Sequence, residues 1–138
     1  GAARWYKAVT AGALITDVEG VTFANGAKGL KPYAPCHLRG QRGNDGALAI
    51  TWIRRARFGG LWRDGGDVLL AEADERYDIE VVDAEGAIVR TATVSTPAWT
   101  YSPADQIADF GVMPAAIILR IFQISAVVGR GHPLEGSV

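Results

Sequence analysis

Along "GALAITWIRRAR" (46–57), Leu48, Ile50 and Trp52 alternate with Ala47, Ala49 and Thr51, and this period of two constrains the fold more than any other feature. Successive side chains of an extended chain point to opposite faces, so the segment predicts a half-buried β-strand with Trp52 on its apolar face. Just before it, "GNDG" (43–46) supplies residues that tolerate positive φ. Residues 35–42 and 47–57 are therefore expected to pair as a hairpin. The same strand runs into Arg54, Arg55 and Arg57, which raises the question of what three cations hold there.

A second hairpin is written in "ERYDIEVVDAEGAIVRTATV" (75–94). Tyr77, Ile79 and Val81 share one face with Asp78 and Glu80 on the other, "DAEG" turns the chain, and Ile88 is expected on one face with Arg90, Ala92 and Val94. The one helical signal is "SPADQIADFG" (102–111), with Ser102 as cap, Pro103 at the first helical position, Asp105 completing a capping box and Gly111 ending the turn. In "AIILRIFQISAVV" (116–128), Ile117, Leu119, Ile121, Gln123 and Ser125 face one way, and Ile118, Arg120, Phe122 and Ile124 the other. Periodicity alone does not choose the core face.

With 138 residues, 49% apolar and 21% charged, the chain suits one packed domain with an appendage. Several short strands, one helical turn near 103–110 and a tryptophan on the second strand predict an all-β, two-sheet sandwich. Trp52, Tyr77, Ile79 and Val81 are its expected core, with Trp52 contributing about 2–3 kcal/mol of burial. The 17-residue run 112–128 carries Arg120 and Pro114 and reads as a buried strand rather than a membrane span, so no membrane insertion is expected. No signal-peptide pattern precedes the domain, and the abrupt "GAARWYKAV" reads as a cut from a longer chain.

The net charge of −1 hides an asymmetry. Residues 28–63 carry eight cationic side chains against Asp45 alone, whereas residues 64–110 carry eleven carboxylates against Arg76 and Arg90. Either the two blocks neutralise one another as neighbouring strands, or they face different partners. Nucleic acid is not expected, since aromatics are not interleaved with the arginines as stacking platforms. Ile53 and Arg55 should lie opposite Trp52, Arg54 and Arg57 should approach the following loop, and at least one arginine should pair with the acidic strand around Asp78 and Glu80. Exposed pairs contribute about 0–1 kcal/mol each, so three arginines exceed what stability asks. Arginine's planar fork favours interfaces, which makes this corner a docking surface for protein or surface glycan. Trp62 and Trp99, with Arg63, are the candidate sugar-stacking and hydrogen-bonding residues.

Chemistry beyond binding is hard to find. His37, His132 and the lone Cys36 do not form a zinc ligand set, and Cys36, with no partner for an internal disulfide, is expected as a small buried residue. Ser95, Ser102 and Ser125 lack a G-x-S-x-G elbow. Glu72, Asp74, Glu75, Asp78 and Glu80 read as a solvated acidic face rather than a calcium loop or a glycosidase pair. "RDGG" (63–66) and "GRG" (129–131) read as turns. No catalytic residue, metal or cofactor is assigned.

A proline-led first strand ("PYAPCHLRG"), the Trp of "ITWIRR", the Tyr of "RYDIEV" and a late strand closing in "GRGHP" resemble a fibronectin type III-like domain, which implies about seven antiparallel strands. Two departures stand out. The loop 58–75 is long for that domain, and only "PLEGS" and a valine remain for the final strand, which would leave a sheet edge open. The domain is assigned to residues 33–138. Residues 1–32 form an N-terminal extended segment with strand-like "WYKAVTA" and "GVTFA", either covering that edge or ending a preceding domain.

Taken together, "GLKPYAPCHLRGQR", "ITWIRRARFGG", "ERYDIEV", "YSPADQIADFG" and "QISAVVGRGHP" resemble the C-terminal region of large phage-tail baseplate hub proteins. These contain a TIM-barrel-like domain, occur in gene transfer agents and long-tailed phages, and are often labelled host-specificity proteins. Spanning roughly residues 28–133, the resemblance implies a fragment of a longer chain, made in the bacterial cytoplasm and located in the baseplate of a virion-like tail. It also implies a trimeric hub with sister subunits and other tail proteins as partners, and it carries over no active site. The expected function is a non-catalytic structural and binding module at the tail tip, serving protein contacts and host attachment. The alternative is a carbohydrate-binding module for recipient cell-surface polysaccharide.

Overall fold

The structure is a computed structural model and describes residues 1–60 and 66–138. It divides into two compact units, Gly1–Leu30 and Lys31–Val138. In the first, β1 (Ala3–Tyr6) and β2 (Val21–Ala24) form an antiparallel ribbon, with Tyr6 opposite Val21 and Trp5 opposite Thr22. Strand structure stops at Tyr6, short of the expected run through residue 11. Tyr6 and Phe23 meet edge to face at 6.1 Å.

The second unit is the sandwich. Its strands are β3 (Cys36–Arg42), β4 (Leu48–Ile53), β5 (Tyr77–Val82), β6 (Ile88–Val94), β7 (Ala98–Tyr101), β8 (Ile118–Ser125) and β9 (Gly129–Ser137), with α1 (Pro103–Phe110) between β7 and β8. The three-stranded sheet β3-β4-β7 and the four-stranded sheet β6-β5-β8-β9 are antiparallel throughout. Both expected hairpins form, β3–β4 around 43–46 and β5–β6 around 83–86.

The core is built by alternation. Leu48, Ile50 and Trp52 of β4 and Tyr101 of β7 meet Tyr77, Ile79 and Val81 of β5 and Leu119 and Ile121 of β8, all nearly solvent-free. Trp52 and Tyr77 contact edge to face across the sandwich at 5.1 Å, an arrangement that suits the ring quadrupoles. The structure also chooses the face left open on β8: Ile117, Leu119, Ile121, Gln123 and Ser125 are buried while Ile118 is exposed, and on that second face only Ile124, near the strand's end, is buried too.

The helix follows its capping chemistry closely. Ser102 Oγ accepts the Asp105 amide at 3.1 Å, Pro103 opens the helix, and Gly111 closes it in a left-handed conformation at φ 75°. Gln106 is buried within it, donating to the carbonyls of Tyr101 and Gly46 and accepting from Arg42 Nη1 at 2.8 Å. A helix side chain thus anchors the β3–β4 turn.

Four local readings are corrected. The strand through Trp52 ends at Ile53, so Arg54, Arg55 and Arg57 lie beyond it rather than in it. In β6, Val81 faces Arg90 but Val82 faces Ile88, so Val89 is an extra, bulged residue; it packs on the core and Ile88 turns outward. Cys36 is half-exposed rather than buried. The final strand is not truncated: the turn falls at 126–128, "GRG" begins β9, and β9 runs nine residues along β8. Beyond it, Ile117 and Val138 exchange backbone hydrogen bonds of 2.8 and 3.0 Å. β7 is an element that sequence reading missed.

Gly131 sits where the Lys31–Val138 unit closes on itself. A Cβ there would lie 2.6 Å from the Pro32 carbonyl oxygen and 3.0 Å from that of Gln123, and the His132 amide bonds to the same Pro32 oxygen at 3.0 Å. Backbone atoms cannot swing aside. Gly131→Ala is expected to lower stability by about 1–2 kcal/mol as an overpacking effect, read as a lower urea midpoint with an unchanged slope.

Candidate binding surface

Past the end of β4 the chain turns outward, and the arginines become pins. Arg54 Nη2 donates to Asp67 Oδ2 at 2.8 Å and to the Val68 carbonyl. Arg57 grips Glu72 Oε1 through both Nε (3.0 Å) and Nη2 (2.8 Å). Arg55, exposed, lies over the Tyr33 ring at 5.2 Å. The Arg57–Glu72 pair is well shielded, with side-chain exposures of 15% and 5%. Asp67 is solvated, so its bridge is the weaker one, although the Arg54 hydrogen bond still holds its carboxyl below the usual range.

Both pairs tie β4 to the segment leading into β5, and they correct the expected partner. Asp78 and Glu80 meet none of the three arginines, because β4 and β5 belong to different sheets. Their partner is Arg130 of β9, which bonds Asp78 Oδ2 at 2.8 Å, pairs with Glu80 and lies over Phe122. Glu80 is consequently buried rather than part of a solvated acidic face.

The pinned segment borders a cleft of about 540 Å3 lined by Trp52, Arg54, Asp67, Val68, Glu75 and Pro97. At its inner end the Tyr77 hydroxyl donates to Glu75 Oε1 at 2.7 Å. Burial, and then this carboxylate, push the Tyr77 ionisation well above its ordinary range. Close by, Phe58 and Leu69 are 58% and 55% exposed, and Leu69 Cβ is 3.8 Å from where a Gly59 side chain would begin. Sequence reading passed over these two apolar residues, whose signal was only that they sit in a loop between charged residues.

Of the sugar-binding candidates, Trp62 and Arg63 lie outside the described residues. Trp99 is half-buried on β7, stacked on Tyr101 at 4.9 Å and packed on the core. It is therefore at some remove from an open stacking platform. Among the described residues, no group of three or more histidine, cysteine or acidic side chains is placed to hold a metal ion, and no helix is long and apolar enough to cross a membrane.

No protein-family model matches the sequence, and no curated protein matches it. Solved structures do resemble it. Domains d3–d4 of the rat CD45 extracellular region superpose with a TM-score of 0.53 at 15% identity, over 98% of this chain and 62% of that one. A myokine structure (TM-score 0.45, 15% identity, 76% and 95% covered) and the FN5 domain of Drosophila Lar (0.42, 11%, 78% and 96%) are more distant. The likeness to CD45 is one of fold, and this chain spans about 62% of that fragment's length. With its three strands facing four in the order β3-β4-β7 and β6-β5-β8-β9, the Lys31–Val138 unit is a fibronectin type III-like sandwich.

Proposed function

We propose that this chain is a non-catalytic structural and binding module of a phage-like tail baseplate, a C-terminal piece of a hub protein that contacts sister subunits and other tail proteins at the tail tip. The family-like motifs between residues 28 and 133 support the assembly. The observation that carries the binding role is the pinning of residues 67–72: Arg54 and Arg57 pair with Asp67 and Glu72, and beside these pairs Phe58 and Leu69 are exposed to solvent. Pinning a stretch of chain beside exposed apolar side chains makes physical sense where a partner covers them.

The test is co-sedimentation of the whole chain with tails assembled in producing cells, against Phe58→Glu and Leu69→Glu. Incorporation of the parent chain and loss of most of it in both variants, with melting temperatures retained, is the expected result. A chain that stays off the tails ends the baseplate reading. Binding to recipient polysaccharide that depends on Trp99 and not on Phe58 would favour a carbohydrate-binding module instead.

A further inference from the structure

We infer that the outward face of the β3-β4-β7 sheet docks an extended, carboxylate-bearing segment of a partner protein. Most other described arginines of the sandwich are occupied, the exceptions being Arg55, which lies over the Tyr33 ring, and the exposed Arg76. Arg54, Arg57, Arg90, Arg120 and Arg130 each meet a carboxylate, and Arg42 donates to the oxygens of Gly46, Gln106 and Pro114. Arg39 shares with Arg55 and Arg76 the lack of a carboxylate partner among the described residues, but of the three it alone lies in mid-strand, exposed on a sheet face. Its cross-strand partner is Thr51, and the two together separate two open hollows of about 470 and 540 Å3 on that face.

The surroundings are shaped for an extended chain. Ala49 and Thr51 make a low floor, with Gln41 beside one hollow and His37 and Ile53 beside the other. Small floor residues let a backbone lie close, while the Gln41 amide and Thr51 hydroxyl offer both donors and acceptors. The register supplies a second observation. Cys36 pairs with Ile53 and Arg39 with Thr51, so β3 carries one more residue than β4 across this stretch. That bulge contains His37 at φ 55°, a left-handed backbone that a β-strand residue rarely adopts. Bulges re-aim side chains, and this one keeps the exposed His37 and Arg39 beside the same hollow.

Charge complementarity selects the occupant. A guanidinium with no carboxylate partner among the described residues, and with a hydroxyl and an imidazole nearby, matches a carboxylate, which arginine binds through two parallel hydrogen bonds. Because the face is a shallow strip rather than an enclosed pocket, an extended acidic peptide fits it better than a compact anion. This surface does not depend on the pinned loop, and its test is separate from the baseplate reading.

The experiment titrates the whole chain into a labelled oligoglutamate peptide at low and physiological salt, with polygalacturonate as the anionic glycan comparison. Expected are salt-sensitive binding of oligoglutamate and a loss of about tenfold or more in Arg39→Glu. Arg76→Gln, at an exposed cation bordering a separate hollow, should leave binding unchanged, and melting of the Arg39 variant should match the parent. Absence of oligoglutamate binding, or equal affinity in Arg39→Glu, overturns the proposal. Tighter, Arg39-dependent binding of polygalacturonate also overturns it, in favour of a glycan site.

Discussion

Trp52→Ala is expected to cost about 3–5 kcal/mol, because a fully buried indole leaves a cavity that two facing sheets cannot close. Trp52 is only 3% exposed, and its ring is the direct contact between β4 and Tyr77 of the opposing sheet. For a domain of this size each kcal/mol moves the midpoint by several degrees, so thermal unfolding should begin at least about 12 °C lower. Trp52→Phe, which keeps a ring in place, should lose less than half as much. Circular dichroism melts of both variants give the comparison, and a Trp52→Ala midpoint within a few degrees of the parent would contradict the core described above.

Asp109→Ala is the second large effect, expected at about 2–3 kcal/mol. Asp109 on α1 accepts from Arg90 on β6, with an Nη2–Oδ1 distance of 3.1 Å, and from the buried Tyr101 hydroxyl on β7. One carboxylate therefore links the helix to both sheets. Its removal strands a hydroxyl in a solvent-free site, while Arg90 keeps Asp105 at 2.9 Å and 29% exposure of its own, which holds the loss below that of a fully buried pair.

This substitution also has a pH signature. Hydrogen bonding to Arg90 holds the Asp109 carboxyl below its ordinary range, so its stabilisation is fully present above the unfolded value of about 4 and is lost as pH falls through the folded one. Asp109→Ala should therefore have a shallower acid limb than the parent. An equally steep limb in a profile of melting temperature against pH would remove Asp109 from the account. Tyr101 runs the other way: burial and Asp109 raise its ionisation, and that contribution is present below about pH 10 and lost as pH rises beyond it.

Much of the sandwich was legible because its signals are local. The alternation around Trp52, the glycine-bearing turns at 43–46 and 83–86, and the Ser102–Asp105 capping box each depend on residues a few positions apart. β7 was not legible: with four residues and a proline just before it, it has too little alternation to stand out. "GRG" was misread for a related reason. Glycines suit turns in general, yet here Gly131 is required because Pro32 and Gln123 crowd the strand.

The binding surface was legible only in part. Three arginines after a buried tryptophan marked the right corner, but they named the wrong partners. Ion pairing depends on which segments become neighbours in space, and a charge count along the chain cannot separate a strand in the same sheet from one across the core.

By itself, then, the sequence determined the hairpins β3–β4 and β5–β6 with their turns at 43–46 and 83–86, how the helix is capped and that Trp52 is buried, since backbone propensity and side-chain period act over a few residues. Only the tertiary structure decided the face of β8 that packs inward, the full length of β9, the loop carboxylates that Arg54 and Arg57 hold, and that mid-strand Arg39 meets no carboxylate among the described residues. Those outcomes arise from contacts between segments far apart in the chain, where geometry and desolvation choose among partners that composition leaves equivalent.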